Sequence, residues 1–186
     1  MVGVDEVGRG CLAGPILVVA ARANARLPNG LRDSKLLSRK QRLEILDLLS
    51  NCCDFGEGWV KVVEIDRYGV AKALRLGIRR ALKRINAKPS EEIIMDGKVN
   101  YLPKKFKRTK CIIDADNLVL IVSAASIYAK VTRDNFMFGL SKKYPSYNFE
   151  NHVGYGTKEH LEAIGAYGIL KFVHRTSYAP ITKLAE

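Results

Sequence analysis

The sequence holds no apolar run approaching the roughly 18 residues that a membrane-crossing helix requires. Its longest candidates, Leu12–Ala21 and Leu118–Ala129, are broken by Gly14 and Pro15 and by Ser123 and Ser126. A basic leader followed by an apolar stretch is also lacking at the start, which argues against secretion. There are four cysteines, Cys11, Cys52, Cys53 and Cys111, and none has the C-x-x-C spacing of a zinc site. Two are adjacent, a poor basis for a disulfide framework, so free thiols in a reducing cytoplasm are expected. Repeats, low-complexity tracts and linkers are missing too, and 186 residues suit one domain spanning 1–186. Acidic residues are scarce. The 19 Asp and Glu against 31 Lys and Arg leave a formal charge of +12.

A hydrophobic fraction of 47% is enough for a buried core. The charge attracts polyanions, favouring nucleic acid or anionic lipid over neutral small molecules, although an ordinary basic bias would give the same total. Met1–Asp5 and Ile16–Ala21 read as strands, the second buried on both faces. Leu27–Gly30 reads as a loop. Ser38 with Gln41 has capping-box spacing, and Leu43, Leu46 and Leu49 continue a helical stripe from it. Gly58–Val63 reads as a strand, and Val70, Leu74, Ile78, Leu82 and Ile85 mark an amphipathic helix with a basic outer face. Glu92–Met95 and Lys110–Ile113 read as strands, and Val119 to about Lys142 and Thr157–Gly168 as helices. Strands come early and helices accumulate, which is a mixed α/β pattern with a helical C-terminal part. The division falls at about residue 140, with 141–186 forming the helical part.

In so basic a chain, acids in apolar surroundings stand out. Asp5-Glu6 ends the first strand, Asp96-Gly97 ends Ile93-Ile94-Met95, and Asp114 and Asp116 follow Cys111-Ile112-Ile113. Clustered carboxylates repel one another and need a cation. Oxygen ligands without Cys or His suit Mg²⁺ or Mn²⁺, and two such ions can drive phosphodiester hydrolysis. Taken singly, each acid reads as a turn former, and Asp114-x-Asp116 alone would also fit a nucleotide-sugar transferase. At 3.6 residues per turn, Ser123, Ser126, Lys130 and Asp134 share one stripe of an otherwise apolar helix. That stripe could meet phosphate oxygens or form an interhelical hydrogen-bond seam. His152, His160 and His174 lack ligand spacing and read as structural or phosphate-facing.

Asp5-Glu6-Val7-Gly8-Arg9-Gly10, continued by Ala13-Gly14-Pro15, resembles the signature opening of ribonuclease H type 2. Asp33-Ser34-Lys35-Leu36, Asp96-Gly97, the run Ser123–Asp134 and Gly154-Tyr155-Gly156-Thr157 are similar to its later motifs, in order. The resemblance runs from residue 2 to about 180. It implies the α/β ribonuclease H-like fold, a five-stranded mixed sheet with flanking helices and a helical C-terminal extension. It also implies four metal-binding carboxylates, carried here by Asp5, Glu6, Asp96 and Asp116. Asp116 is chosen over Asp114 because it lies seven residues before the Ser-Ala-Ala-Ser run. The family's usual Gly before that acid is Ala115 here, and Asp114 is an additional charge.

By the same resemblance, Gly8, Arg9 and Gly10 would read the ribose 2′-OH and a phosphate through backbone groups. Tyr155 would stack at the RNA–DNA junction, and Ser34, Lys35 and Lys130 would contact phosphates. The activity implied is hydrolysis of the RNA strand of RNA–DNA hybrids and cutting 5′ to a ribonucleotide embedded in duplex DNA. Two ions, Mg²⁺ or Mn²⁺, would take part, leaving a 3′-hydroxyl and a 5′-phosphate. A nuclease needing several consecutive ribonucleotides and a catalytically silent hybrid-binding protein are the alternatives. The N-terminal platform of the type 3 enzymes has no counterpart before the first strand. The tail Ile181–Glu186 does not resemble a sliding-clamp-binding peptide, and a monomer that binds no membrane is expected.

Overall fold

A computed structural model describes residues 1–28, 30–31 and 37–185. Ser34 and Lys35, singled out above, lie outside the described residues, as does Glu186. Five strands, β1 (Val2–Val7), β2 (Ile16–Ala23), β3 (Cys53–Val60), β4 (Ile93–Asp96) and β5 (Thr109–Ile112), form one sheet in the order β3-β2-β1-β4-β5. The pairings β1–β2 and β2–β3 are antiparallel, whereas β1–β4 and β4–β5 are parallel, so the sheet is mixed as expected.

The apolar run of β2 follows from burial on both faces. Ile16, Val18 and Ala20 join one core cluster with Leu74 and Ile78, while Leu17, Val19 and Ala21 join another with Val122 and Ala125. Successive strand residues point to opposite faces, so helices cover the sheet on both sides. The first cover is α3 (Val70–Arg84), whose buried face includes Ala73, Leu74, Ile78 and Ala81. The second is the long α5 (Leu120–Lys143), beside α1 (Arg39–Ser50). α5 lies close on β1 because Gly3 has no side chain. A Cβ there would sit 2.5 Å from the Ile121 carbonyl oxygen. This close approach sets the α5 stripe beside the end of β1, where Asp5 and Glu6 lie.

The Ser38 capping box forms, with Ser38 N–H donating to Gln41 Oε1 at 2.8 Å and Gln41 N–H to Ser38 Oγ at 3.3 Å. Of the leucine stripe that follows, only Leu49 is buried, and Leu43 faces solvent. The expected strand Gly58–Val63 is corrected at both ends. β3 begins at Cys53 and pairs with β2 from there, Cys53 opposite Ala23. Val62 and Val63 open a helix instead, α2 (Val62–Tyr68), because Glu64 accepts from Lys61 N–H and caps its first turn. A one-turn helix, α4 (Ala115–Leu118), also precedes α5.

The C-terminal part is helical, with a 3₁₀ turn (Pro145–Tyr147), α6 (Phe149–His152), α7 (Lys158–Tyr167) and α8 (Ala179–Ala185). α7 is capped by Thr157, whose Oγ1 accepts from His160 N–H, and ends at Gly168. Its core joins Phe149, Ile164 and Ile181 to Met137 of α5 and to Leu12 and Ala13 from the β1–β2 turn. Among the described residues no helix is long and apolar enough to cross a membrane.

Candidate active site

A cleft of about 340 Å³ opens where β1 and β4 end against α5, and Asp5, Glu6, Asp96, Asp116, Lys130 and Tyr155 all line it. Residues far apart in the chain meet here because β1 and β4 are parallel neighbours, Val4 opposite Met95. Their acidic C-terminal ends therefore emerge on the same side of the sheet, where sites in α/β folds are built.

Asp5 is 8% exposed and accepts from Glu6 N–H at 2.8 Å. Burial pushes its carboxyl up to about 7 against a hydrogen bond with Ser126, and the nearby charges of Glu6 and Asp96 push the same way. Glu6 is also raised, first by burial and then by Asp96, although Arg9, 3.6 Å away, opposes this. Asp96 accepts from the Ala115 N–H at 2.7 Å, which ties the turn after β5 to the end of β4. Asp114 takes the left-handed conformation there, φ 54°, and is exposed outside the cleft, whereas Asp116 is 2% exposed and lines it. Alanine at 115 is therefore accommodated, because the left-handed residue of the turn is Asp114.

The α5 stripe divides. Ser123 is fully buried and donates to the backbone oxygens of Asp116 and Val119, a structural seam across the α4–α5 junction. Ser126 and Lys130 line the cleft, and Lys130 pairs with Asp134 at 2.9 Å. Gly8 has φ 86° and Arg9 is half-exposed. A Cβ on Gly10 would meet nothing within 4 Å. Tyr155 is 42% exposed, and its hydroxyl is raised mainly by burial.

All three histidines are buried and structural. His152 and His160 stack at 4.3 Å between ring centroids, and His160 Nε2 lies 3.1 Å from His174 Nε2. Sequence reasoning missed Arg42, a cleft-lining residue of α1, and the buried Arg133 and Arg175. Basic residues in a basic chain carry no signal of burial or aim.

The donor set fits a hard divalent cation, because four carboxylates share one cleft and two of them, Asp5 and Glu6, are raised by burial and by the charge of neighbouring carboxylates. Among the described residues no group of three or more acidic, histidine or cysteine side chains is gathered closely enough to hold an ion as they stand.

The family model for ribonuclease HII matches residues 2–181. A ribonuclease HII of Wolbachia pipientis subsp. Culex pipiens (strain wPip) is 42% identical over 181 residues, covering 96% of this chain and 90% of its own. Among solved structures, ribonuclease H2 from Pyrococcus horikoshii OT3 superposes with a TM-score of 0.77 at 28% identity, covering 98% of this chain and 95% of its own. Bst-RNase HIII in complex with Mn²⁺ shares the fold, with a TM-score of 0.73 at 22% identity over 99% of this chain and 68% of its own. Matched over nearly its whole length, the chain belongs to the ribonuclease HII family, metal-dependent ribonucleases H that act on RNA–DNA hybrids.

Proposed function

We propose that the protein cuts the RNA strand on the 5′ side of a ribonucleotide, including a single one embedded in duplex DNA, leaving a 3′-hydroxyl and a 5′-phosphate. The observation that carries this reading is the meeting of Asp5, Glu6, Asp96 and Asp116 in one cleft with Tyr155 at its edge. Those four acids would hold two Mg²⁺ or Mn²⁺ ions, and the Mn²⁺ complex of the fold relative Bst-RNase HIII supports the choice of metal. Bound ions supply the charge that activates a water and stabilises the leaving oxygen. The chain's own groups position. Asp96 is oriented by Ala115 N–H and Asp5 by Glu6 N–H and Ser126, while Lys130 offers its ammonium to a phosphate. Gly8, Arg9 and Gly10 would meet the ribose 2′-OH and its phosphate, and Tyr155 would stack beyond it.

The same reading takes residues 1–186 as one domain acting as a monomer, its core to about 140 joined to the helical part through Leu12, Ala13 and Met137. The free thiols support a reducing, cytoplasmic setting. A silent hybrid binder would keep its affinity in chelator and never cut. Incubating a labelled hybrid with and without Mg²⁺ or Mn²⁺ therefore decides: cleavage only with the ion supports the enzyme, and binding without cleavage in both overturns it.

A further inference from the structure

Arg133 and Arg175 are both fully buried. Among the described residues neither forms an ion pair. A buried charge is costly unless it is thoroughly hydrogen-bonded, and mere filling would be served better by an apolar side chain. Here the partners are backbone carbonyl oxygens. Arg133 donates to Pro15 O at 2.9 Å, Ala13 O at 3.1 Å and Val153 O at 2.9 Å. Arg175 donates twice to Gly14 O, at 2.9 and 2.7 Å, and to Arg9 O at 3.0 Å. Tyr178 completes the set, its hydroxyl 3.0 Å from Arg175 Nη1 and donating to Arg9 O at 2.7 Å.

These carbonyls belong to two turns far apart in sequence, the one following β1 and the one preceding Gly154-Tyr155-Gly156. Arg133 grips both. Val153 has φ 44°, a strained backbone for a β-branched residue, and its carbonyl is the one Arg133 holds. Gly8 has no alternative beside this clamp, since a Cβ there would run into the Arg133 guanidinium. Across the trans peptide, an Arg9 carbonyl held inward turns the Gly10 N–H outward, on the side where Gly10 is open.

We propose that Arg133 and Arg175, helped by Tyr178, are positioning residues. They set the spacing between the Gly8-Arg9-Gly10 turn and Tyr155, and with it the selectivity for a lone ribonucleotide, without touching substrate. This inference rests on the function proposed above.

The test uses the full chain with Arg133→Lys, Arg175→Lys and Tyr178→Phe. Single-turnover cleavage at saturating Mn²⁺ is compared on a long RNA–DNA hybrid and on duplex DNA carrying one ribonucleotide, alongside thermal unfolding. Each Lys variant keeps the charge and loses the fork, so the ratio of lone-ribonucleotide to hybrid cleavage is expected to fall about tenfold. Tyr178→Phe removes one neutral hydrogen bond and is expected to lower the ratio about threefold at a near wild-type unfolding temperature. Equal loss on both substrates means a structural role only and overturns the proposal, as does an unchanged ratio in Tyr178→Phe and in any Lys variant that folds. If neither Lys variant folds, Tyr178→Phe decides alone. A wild-type protein that cuts neither substrate removes the function proposed above, and this inference with it, before any variant is made.

Discussion

Asp5 sits where an ionised carboxylate is unwelcome, buried beside Glu6 and Asp96 with its carboxyl pushed up to about 7. Asp5→Asn removes that repulsion at nearly constant volume. Cleavage should fall by more than about 100-fold, as expected when a charge needed at the reacting phosphate is lost. In chelator at pH 8 the variant should unfold at a higher temperature than wild type. Near wild-type cleavage would take Asp5 out of the site. The choice of the fourth acid was legible only by counting back from the Ser123–Asp134 run. Asp114 and Asp116 look alike in sequence, and what separates them is that Asp114 takes the left-handed turn position and Asp116 the buried one. Asp116→Asn should therefore lose far more activity than Asp114→Asn, and the reverse order would reassign the carboxylate. Tyr155 was legible as an aromatic between two glycines, whereas Arg133 and Arg175 were not, because burial of a cation depends on carbonyls supplied by distant turns. Tyr155→Ala should cut lone-ribonucleotide cleavage at least about tenfold and hybrid cleavage less. Tyr155→Phe, which keeps the ring, should fall between. Equal losses on the two substrates would leave Tyr155 a supporting role only.

At the level of elements, the strongly periodic segments could be read from sequence. α3 and the ends of α7 follow from apolar spacing and from Thr157 and Gly168, and β2 from its apolar run. The failures have physical causes. Asp54 and Gly56 disguised the start of β3, whose pairing with β2 is a tertiary effect, and the β-branched pair Val62-Val63 looked like strand until Glu64 capped it as helix. The histidine stack, invisible in sequence spacing, holds the helical part together and carries a pH signature. His160 Nδ1 donates to Tyr155 O, which leaves Nε2 to accept from His174, and His174 Nδ1 accepts from Leu170 N–H, so both rings are accommodated neutral. Burial lowers both to about 4. The unfolded chain takes up these protons near the ordinary 6.5, so it binds more protons than the folded protein between those values. The stabilisation from the neutral pair is present above 6.5 and is lost as the pH falls toward 4. Asp5 acts with the opposite sign over an overlapping range, its contribution lost as the pH rises from about 4 to 7 in metal-free protein. Glu6, also raised, acts with the same sign as Asp5, so melting of the double variant Asp5→Asn, Glu6→Gln in chelator removes both opposing contributions and leaves the histidine term. That variant's unfolding temperature should drop between pH 6.5 and 4, and a flat profile would mean that the pair is not held neutral.

For the whole molecule, a formal charge of +12 stands against one small cleft lined by four carboxylates. Part of the basic face of α3 is committed internally, since Arg80 pairs with Glu64 at 2.7 Å and Arg75 lies over the Tyr101 ring. Cations left for a nucleic-acid backbone would displace counterions, so hybrid affinity should fall about a hundredfold between about 50 and 200 mM salt. A flat response would remove the basic surface from substrate binding. Hybrid affinity alone cannot separate cutting at a lone ribonucleotide from cutting within long RNA, since both substrates present the same backbone charge. The direct measurement is cleavage of duplex DNA containing one ribonucleotide, with Mg²⁺ or Mn²⁺ present and both product ends mapped. One cut is expected on the 5′ side of that ribonucleotide, with a 3′-hydroxyl on one fragment, a 5′-phosphate on the other, and no product in chelator. Intact duplex under conditions where a long hybrid is cut, or a cut at any other bond, would contradict the proposed function.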